Sequence, residues 1–176
     1  MHLQPASTEI LPGLPELLAD LGEGEHGFSG TPVARGEMSL PDYLLRCVQQ
    51  TRPAGLPPGL VPQTVFWLLD EQEEAVGMIR VRHYLNDKLR ERGGHIGYYI
   101  RRDQRGKGYG RAALRLALIE LARLGEPRAM LSVDMDNPAS IRVIEANGGQ
   151  LENTALGEDG RPFGRYWIEL GGQHPS

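Results

Sequence analysis

Residues His95–Gly125 form the most restrictive pattern in this chain. A strand-like apolar stretch, residues 95–100, precedes a basic loop with three alternate glycines, residues 101–110, and then an apolar segment that runs to Leu124. Glycine reaches positive φ without steric penalty, so such a loop can turn tightly and point several backbone N–H groups into one concavity. A helix that begins there adds unpaired N–H groups and the positive end of its dipole. The pattern therefore predicts a site for a phosphate-bearing ligand.

Basic side chains strengthen this prediction. The loop carries Arg101, Arg102, Arg105 and Lys107, which we expect to supply positive charge for the phosphates. A tight strand-to-helix turn without a ligand is the simpler alternative. A turn that needs several glycines rarely also needs four cationic side chains, so the pattern favours a ligand.

Three phosphate-binding motifs compete for this loop. A P-loop requires Ser or Thr after Gly-Lys, but Gly108 stands there. A dinucleotide fingerprint requires Gly-x-Gly-x-x-Gly directly after the strand; the spacing here differs by one residue, although Asp134 lies roughly where the ribose-binding acid would fall. The third pattern, Arg/Gln-x-x-Gly-x-Gly/Ala, is matched by Arg105–Gly110.

Together with its neighbours, this motif resembles the GNAT superfamily of acyl-CoA-dependent N-acyltransferases. The similarity extends over roughly Gln63–Leu170 and includes the strand before the loop and the helix after it. It rests on these segments in order: Tyr98-Tyr99-Ile100, Gly106-Lys107-Gly108-Tyr109-Gly110, Asp136-Asn137-Pro138-Ala139-Ser140 and Asn147-Gly148-Gly149.

The resemblance implies an α/β (α+β) fold: a mixed, mostly antiparallel central sheet of about seven strands, splayed at the cofactor cleft and flanked by about four helices. Residues 1–176 would form a single domain. In it, residues 1–62 would supply acceptor-side helices and loops, and residues 63–170 would form the cofactor-binding core.

Local patterns place the other elements. An edge strand is expected near the start, where Pro5 limits pairing, and a helix over Leu14–Leu21. Ser39 can cap a second helix, whose apolar stripe includes Cys47 as a core residue. Hairpins are expected at residues 64–84 and 151–170, a strand at residues 130–133, and loops at residues 22–36 and 53–62.

The resemblance also implies site residues. The pantetheine arm would lie along Tyr98, Tyr99 and Ile100, one of which would offer an N–H to the thioester carbonyl. The pyrophosphate would be held by the motif residues, and the next helix would contact the cofactor. These residues are Arg105, Gly106, Lys107, Gly108, Tyr109 and Gly110 in the motif, with Asn137 and Ser140 on the next helix.

One departure concerns the chemistry. Many members of the family have a tyrosine seven residues after the capping asparagine, where it protonates the leaving sulfur, but this chain has Ile144. His95, Tyr98 and Tyr166 are the remaining catalytic candidates by strand position, and His95 alone has an ordinary pKa suited to base chemistry near neutrality.

Composition limits the partners. A net charge of −4 argues against general nucleic-acid binding, and the chain lacks an apolar run of about 20 residues that would span a membrane. The single cysteine excludes an internal disulfide, and two isolated histidines, His83 and His95, are weak support for a metal site. We therefore expect a cytoplasmic protein without a metal; a homodimer is left open.

Two functions follow from the resemblance. The first is direct transfer of an acetyl group from acetyl-CoA to a primary amine of a small molecule or protein. The alternative is a catalytically weak CoA-binding sensor or scaffold domain of the same fold. The N-terminal segments that would line the acceptor pocket carry no recognisable motif, so the sequence does not identify the acceptor.

Overall fold

The computed structural model describes residues 1–171, which form nine strands, five α-helices and one 3₁₀ turn. The strands are β1 (His2–Pro5), β2 (Gly24–Glu25), β3 (Phe28–Ser29), β4 (Gln63–Leu69), β5 (Ala75–Arg82), β6 (Ile96–Ile100), β7 (Arg128–Asp134), β8 (Gln150–Leu156) and β9 (Pro162–Glu169). The helices are α1 (Leu14–Leu21), α2 (Leu40–Gln49), α3 (Asp87–Glu91), α4 (Tyr109–Arg123) and α5 (Pro138–Ala146), and the 3₁₀ turn is Arg102–Gln104.

Seven of the strands form two antiparallel sheets. The first has the order β1-β4-β5-β6 and the second has the order β7-β9-β8. They meet at the start of β6, where Gly94 bridges Leu131 and the His95 N–H donates to the Met130 carbonyl at 2.7 Å. Beyond this junction β6 and β7 part. The expected fold, with about seven central strands splayed at one place, is confirmed.

Both faces of the first sheet are covered. On β4, Phe66 and Leu68 point into a core shared with α4, α5 and the second sheet, whereas Val65, Trp67 and Leu69 point into a core shared with α1 and α2. This two-sided burial explains why β4 appears in the sequence as a continuous apolar run. Cys47 is 2% exposed in the second of these cores, as expected for a packing residue.

The main elements begin and end close to their predicted positions. β1 is an edge strand, α1 matches Leu14–Leu21, and the Ser39 hydroxyl caps α2 by accepting from the Asp42 N–H at 3.2 Å. Two short elements were missed. The β2–β3 hairpin has two residues per strand, too few for a period-two pattern, and α3 has five residues with none buried, so neither produces an apolar periodicity.

Helix α4 is less buried than its composition predicts. The sequence appears apolar nearly all round, but the buried side chains lie on one face, and Ile119 is 42% exposed. The buried face comprises Ala113, Leu114, Ala117, Leu118 and Leu121. Their spacing at i, i+1, i+4, i+5 and i+8 is that of a helix resting on one surface of a sheet.

Within residues 1–171, no helix combines the length and the apolar character needed to cross a membrane.

The two faces of α4 give a stability prediction. Leu114→Ala should destabilise the fold by about 3 kcal/mol, because it removes a fully buried side chain and leaves a cavity. Ile119→Ala on the same helix should cost less than about 1 kcal/mol, because that side chain lies on the outer face of α4 and is already partly in water. Urea unfolding of both variants measures the difference. Equal losses would contradict the one-sided burial of α4.

Candidate active site

The glycine-rich loop and the start of α4 form a cluster of backbone donors. Gly106 and Gly108 both have positive φ, 79° and 83°, and Gly108 is the residue at which α4 is capped. A Cβ at either glycine would meet no atom within 4 Å, so the space above the loop is open. Among residues 1–171, the N–H groups of positions 106–111 find no hydrogen-bond acceptor. With the α4 dipole behind them, they can bind a phosphate group.

The positive charge of this loop is largely neutralised. Arg101 pairs with Asp103 at 2.6 Å, Arg102 pairs with Glu25 at 3.1 Å, and Arg105 pairs with Glu25 at 2.8 Å. Lys107 instead donates to the Gln104 amide oxygen at 3.0 Å. Three of the four cationic side chains are therefore already paired with carboxylates. These carboxylates come from the loop itself, from the missed β2–β3 hairpin and from Asp20 of α1, which lies 3.6 Å from Arg102.

The outer edge of β6 is free beside the cleft. The Arg82 N–H donates to the His95 carbonyl, and the Arg101 N–H donates to the Val76 carbonyl, so the odd-numbered residues of β6 bond to β5. Alternate residues of an edge strand point their backbone groups the other way. The backbone of Ile96, Tyr98 and Ile100 therefore faces the gap between the two sheets. The Ile100 carbonyl accepts from the Arg105 Nε at 3.0 Å, and the remaining groups can pair with an extended arm.

A single cleft of about 1140 Å³ joins these features. One wall is β6 with the glycine-rich loop, and the opposite wall is β7 with the start of α5. Loop residues 56–61, the β2–β3 hairpin and α3 line the rest. The volume lies just above the usual range for small-molecule pockets, so the cleft has room for a long ligand or for two ligands together.

Tyr98 and Ser140 meet across this cleft. The two hydroxyl groups lie 2.6 Å apart, and Asn137 caps α5 by accepting from the Ser140 N–H at 3.3 Å. Burial raises the pKa of Tyr98 above its usual value, so the phenol stays protonated near neutral pH. The structure thus brings together three of the predicted site residues, at the point where β6 faces α5.

Tyr99 lies on the other face of the sheet. Its hydroxyl donates to an Asp20 carboxylate oxygen at 2.5 Å, and its ring stacks on Phe28 with the centroids 6.2 Å apart. Burial and the Asp20 carboxylate both raise the pKa of Tyr99. Its backbone bonds to β5, so the part of Tyr99 that lines the cleft is its side chain and not a free N–H.

His95 does not lie in the cleft. Its ring is 1% exposed at the junction of the sheets, where Nδ1 accepts from the Met130 N–H at 2.9 Å and Nε2 lies 2.8 Å from Glu126. Since Nδ1 accepts, Nε2 carries the proton and donates to the carboxylate. His83 instead contacts the Thr64 hydroxyl at 2.8 Å, so the two histidines do not form a ligand pair.

Tyr166 is also outside the cleft. The side chain is 3% exposed and packs in the core shared by α4 and the second sheet. Ile144 does line the cleft, and it is 1% exposed. Of the three catalytic candidates, only Tyr98 is therefore placed where it can contact a ligand.

One titratable pair was missed by the sequence argument. His26, in the turn of the β2–β3 hairpin, lines the cleft with its Nδ1 3.6 Å from an Asp134 carboxylate oxygen. Ligand atoms of His26, Asp134 and Asp136 lie within 4.8 Å of one another, but Arg92 already bonds Asp134 at 3.1 Å. The only local signal was an isolated histidine before a glycine in an acidic loop, which did not indicate a contact with a strand more than 100 residues away.

The role of His95 at the junction can be tested by pH. Burial lowers the pKa of His95, against the opposing hydrogen bond to Glu126, so the folded state favours the neutral ring. The unfolded chain then binds the proton more readily, and acidification below about pH 6.5 should destabilise the fold. His95→Asn retains an acceptor for the Met130 N–H and cannot be protonated, so the loss of stability on acidification should be smaller.

Urea unfolding at about pH 7.5 and about pH 5.5 measures this effect. His2→Asn is the matched control, because it removes an exposed imidazole on β1, away from the junction. Identical pH dependence in wild type and His95→Asn would contradict the assignment.

Comparison with known proteins agrees with this geometry. The family model described as "Acetyltransferase (GNAT) domain" matches residues 52–150. The mycothiol acetyltransferase of Streptomyces coelicolor is 35% identical over 92 residues, which span 52% of this chain and 28% of the length of that protein.

Two solved structures share the fold. A variant of the spermidine N-acetyltransferase of Vibrio cholerae has a TM-score of 0.66 at 15% identity, covering 97% of this chain and 95% of that one. A candidate acetyltransferase from Salmonella typhimurium, solved with its cofactor acetyl-CoA, has a TM-score of 0.58 at 16% identity, covering 80% of this chain and 78% of that one. With the family match over residues 52–150, the chain belongs to the GNAT acetyltransferase family.

Proposed function

We propose that this protein transfers an acetyl group from acetyl-CoA to a primary amine in one direct step. The observation that carries the proposal is the combination of free N–H groups at positions 106–111 with the free edge of β6 along the same cleft. The first suits a pyrophosphate and the second suits an amide-bearing arm. Acetyl-CoA supplies a thioester, whose carbonyl carbon bonds to the amine nitrogen as the C–S bond breaks to give the amide and the CoA thiol.

Residues of the cleft would bind and orient the reactants. Asn137 and Ser140 would contact the cofactor from the start of α5. The Tyr98 N–H faces the gap and would donate to the thioester oxygen, where negative charge develops. His26 is the one imidazole that lines the cleft among residues 1–171, so it is the candidate acceptor for the proton that the amine loses.

The two parts of the chain would have different tasks within one domain. Residues 1–62 would form the acceptor side, because α1, α2 and the β2–β3 hairpin cover the face of the sheet that bears Tyr99. Residues 63–170 would hold the cofactor. The division is not strict, since β1 pairs with β4 in the first sheet.

Acetylation of a panel of amines tests the function. Formation of the CoA thiol from acetyl-CoA should increase when an accepted amine is added, and mass spectrometry should find the N-acetyl product. Binding of acetyl-CoA with no transfer to any amine would instead favour the sensor or scaffold function. The panel includes small amines and peptides with a free N-terminus.

The first variant tests the glycine-rich loop as the phosphate-binding site. Gly108→Asp should weaken acetyl-CoA binding by at least tenfold, about 1.4 kcal/mol, because it places a negative charge over the phosphate-binding N–H groups. Gly108→Asn is the matched control, because Asn has the same shape and tolerates positive φ. Calorimetry should find a much smaller loss for Asn. Equal losses in both variants would mean that backbone strain, and not charge, explains the effect.

The second variant tests Tyr98 as the group that protonates the departing sulfur. A coenzyme thiol leaves well near neutral pH, so Tyr98→Phe should lower kcat by about tenfold, at the low end for general-acid catalysis. The affinity for acetyl-CoA should change by less than about threefold, since one hydroxyl is lost at a partly buried position. Ser140→Ala, which removes the partner and keeps the phenol, should affect kcat less.

An unchanged kcat in Tyr98→Phe would remove Tyr98 from the mechanism. Water or the backbone donors of the cleft would then stabilise the thiolate.

A further inference from the structure

Two arginines on β5 lie buried without a carboxylate partner. Arg80 is 8% exposed, and Arg82 is half-buried two residues further on, so both side chains project from the same face of the strand. Among residues 1–171, neither guanidinium lies within 4.0 Å of an Asp or Glu oxygen, the distance that defines an ion pair. A buried charge is costly unless it is paired, so this arrangement requires an explanation.

Neutral groups hold the two guanidinium groups in place. Arg80 donates to the Ser29 hydroxyl and carbonyl at 2.9 and 2.8 Å and stacks over the Phe28 ring at 4.1 Å. Arg82 donates from one nitrogen to the carbonyls of Gly93 and Gly94, at 3.4 and 3.2 Å. Each guanidinium has five N–H donors, so both retain donors beyond these contacts.

The charges are not compensated elsewhere. Burial, with a smaller contribution from the nearby Arg80 cation, lowers the pKa of Arg82 to about 10. Both remain charged at neutral pH. An anion placed between them would remove this repulsion and receive charge-assisted hydrogen bonds.

A small polar cavity lies at this place. It has a volume of about 250 Å³ and is lined by Arg46, Arg80, Arg82, Gln50, Gln63 and Ser29 among others. We call it the arginine pocket. Its lining includes three arginines and no Asp or Glu. Five of its residues also line the large cleft, including Arg80 and Arg82, so the arginine pocket is a side chamber of that cleft.

Acidic residues of the large cleft do not offset these arginines. Glu25 pairs with Arg102 and Arg105, and Asp134 pairs with Arg92. Among residues 1–171, no other acidic residue of the cleft lies within ion-pair distance of Arg80 or Arg82, so the arginine pocket keeps a positive potential.

The pocket lies close to the proposed point of reaction. Arg80 pairs with Gly97 across the sheet, and Gly97 directly precedes Tyr98, whose N–H faces the thioester site. Neighbouring strands are about 4.8 Å apart, so the Arg80 backbone lies one strand spacing from the backbone proposed to bind the thioester, and a spacer in the acceptor would bridge the two sites. It would approach from the face of Tyr99 and Phe28, opposite the face on which Tyr98 contacts α5.

We propose that the acceptor is an amine that carries an anionic group, a carboxylate or phosphonate, and that Arg80 and Arg82 bind this group. The proposal rests on the proposed acetyl transfer and specifies its substrate class. The two guanidinium groups fix the anionic end of the acceptor, and a short spacer carries the amine to the thioester. Arg46, which is exposed at the rim, adds to the attraction.

Matched acceptors test the proposal in a buffer free of phosphate and sulfate. The series consists of ω-amino acids of increasing length, the corresponding amides, the corresponding diamines and the corresponding aminoalkylphosphonates. At the best length, the carboxylate or phosphonate should have a kcat/KM at least about thirtyfold above that of the amide and the diamine. The comparison of the two anions identifies which headgroup the pocket prefers.

Variants connect this preference to the pocket. Arg82→Gln should reduce the preference for the anion to below about threefold, mainly by raising KM for the anionic acceptor, while turnover of the amide persists. Arg46→Gln should reduce the preference for the anion less. Because Arg46 is exposed at the rim, this substitution should not unfold the protein. Arg80→Lys keeps the charge but loses the planar fork, so an intermediate loss is expected. Arg52→Gln is the control for net charge, because Arg52 is exposed and lines neither cavity.

Two results would overturn the proposal: equal kcat/KM for the anion and its amide in the wild type, or an equal loss for all acceptors in Arg82→Gln. Calorimetry of the same probes with the enzyme–CoA complex measures their affinities without turnover. If the anion binds at least about thirtyfold more tightly than the amide but no amine is acetylated, the arginine pocket stands and the transferase function fails. If amines are acetylated without any preference, the transferase function stands and the arginine pocket fails.

Discussion

The hydrogen bonds between His95 and Met130 join the two sheets at the point beyond which β6 and β7 separate. The His95 N–H donates to the Met130 carbonyl at 2.7 Å, and its ring accepts from the Met130 N–H at 2.9 Å. A backbone donor left unpaired where two strands separate would be costly, and the imidazole removes that cost. At Gly94 a Cβ would collide with the Met130 carbonyl, so the close approach depends on glycine. The free edge of β6 and the whole cleft follow from this junction.

Local rules account for what the sequence predicts well. The alternate glycines, the start of α4 and the Asn137 cap each depend on residues a few positions apart, and each lies where it was expected. The role of His95 could not be predicted in this way, because an imidazole at the start of a strand has the same sequence signature whether it faces a cleft or a junction. Its partner, Met130, is 35 residues away. The pairing of Glu25 with the loop arginines is hidden for the same reason.

The β2–β3 hairpin connects the two halves of the site. Glu25 binds Arg102 and Arg105 of the glycine-rich loop, and four residues later Ser29 holds Arg80. The loop would therefore bind phosphate chiefly through backbone N–H groups, whose donor capacity does not change with pH. Lys107 carries charge without a carboxylate partner at the loop, and Arg80 and Arg82 carry it beside the proposed acceptor site. The β2–β3 hairpin would thus contact two kinds of anion site, one formed by backbone dipoles and one by guanidinium groups.

Ile144 occupies the position on α5 where the family resemblance predicts a tyrosine, and a different tyrosine, Tyr98, lies on the opposite wall of the cleft. Ser140 and Ile144 are four residues apart, so they share one face of α5, and both line the cleft. The Tyr98 hydroxyl reaches that face from β6 and lies 2.6 Å from the Ser140 hydroxyl. A phenol is therefore present about one helical turn, or 5–6 Å, before the position at which the family resemblance places it. Because burial raises the pKa of Tyr98, this phenol is suited to donate a proton and not to accept one. If Tyr98 protonates the departing sulfur, a different residue has to accept the proton of the attacking amine, and His26 of the β2–β3 hairpin is the candidate proposed above.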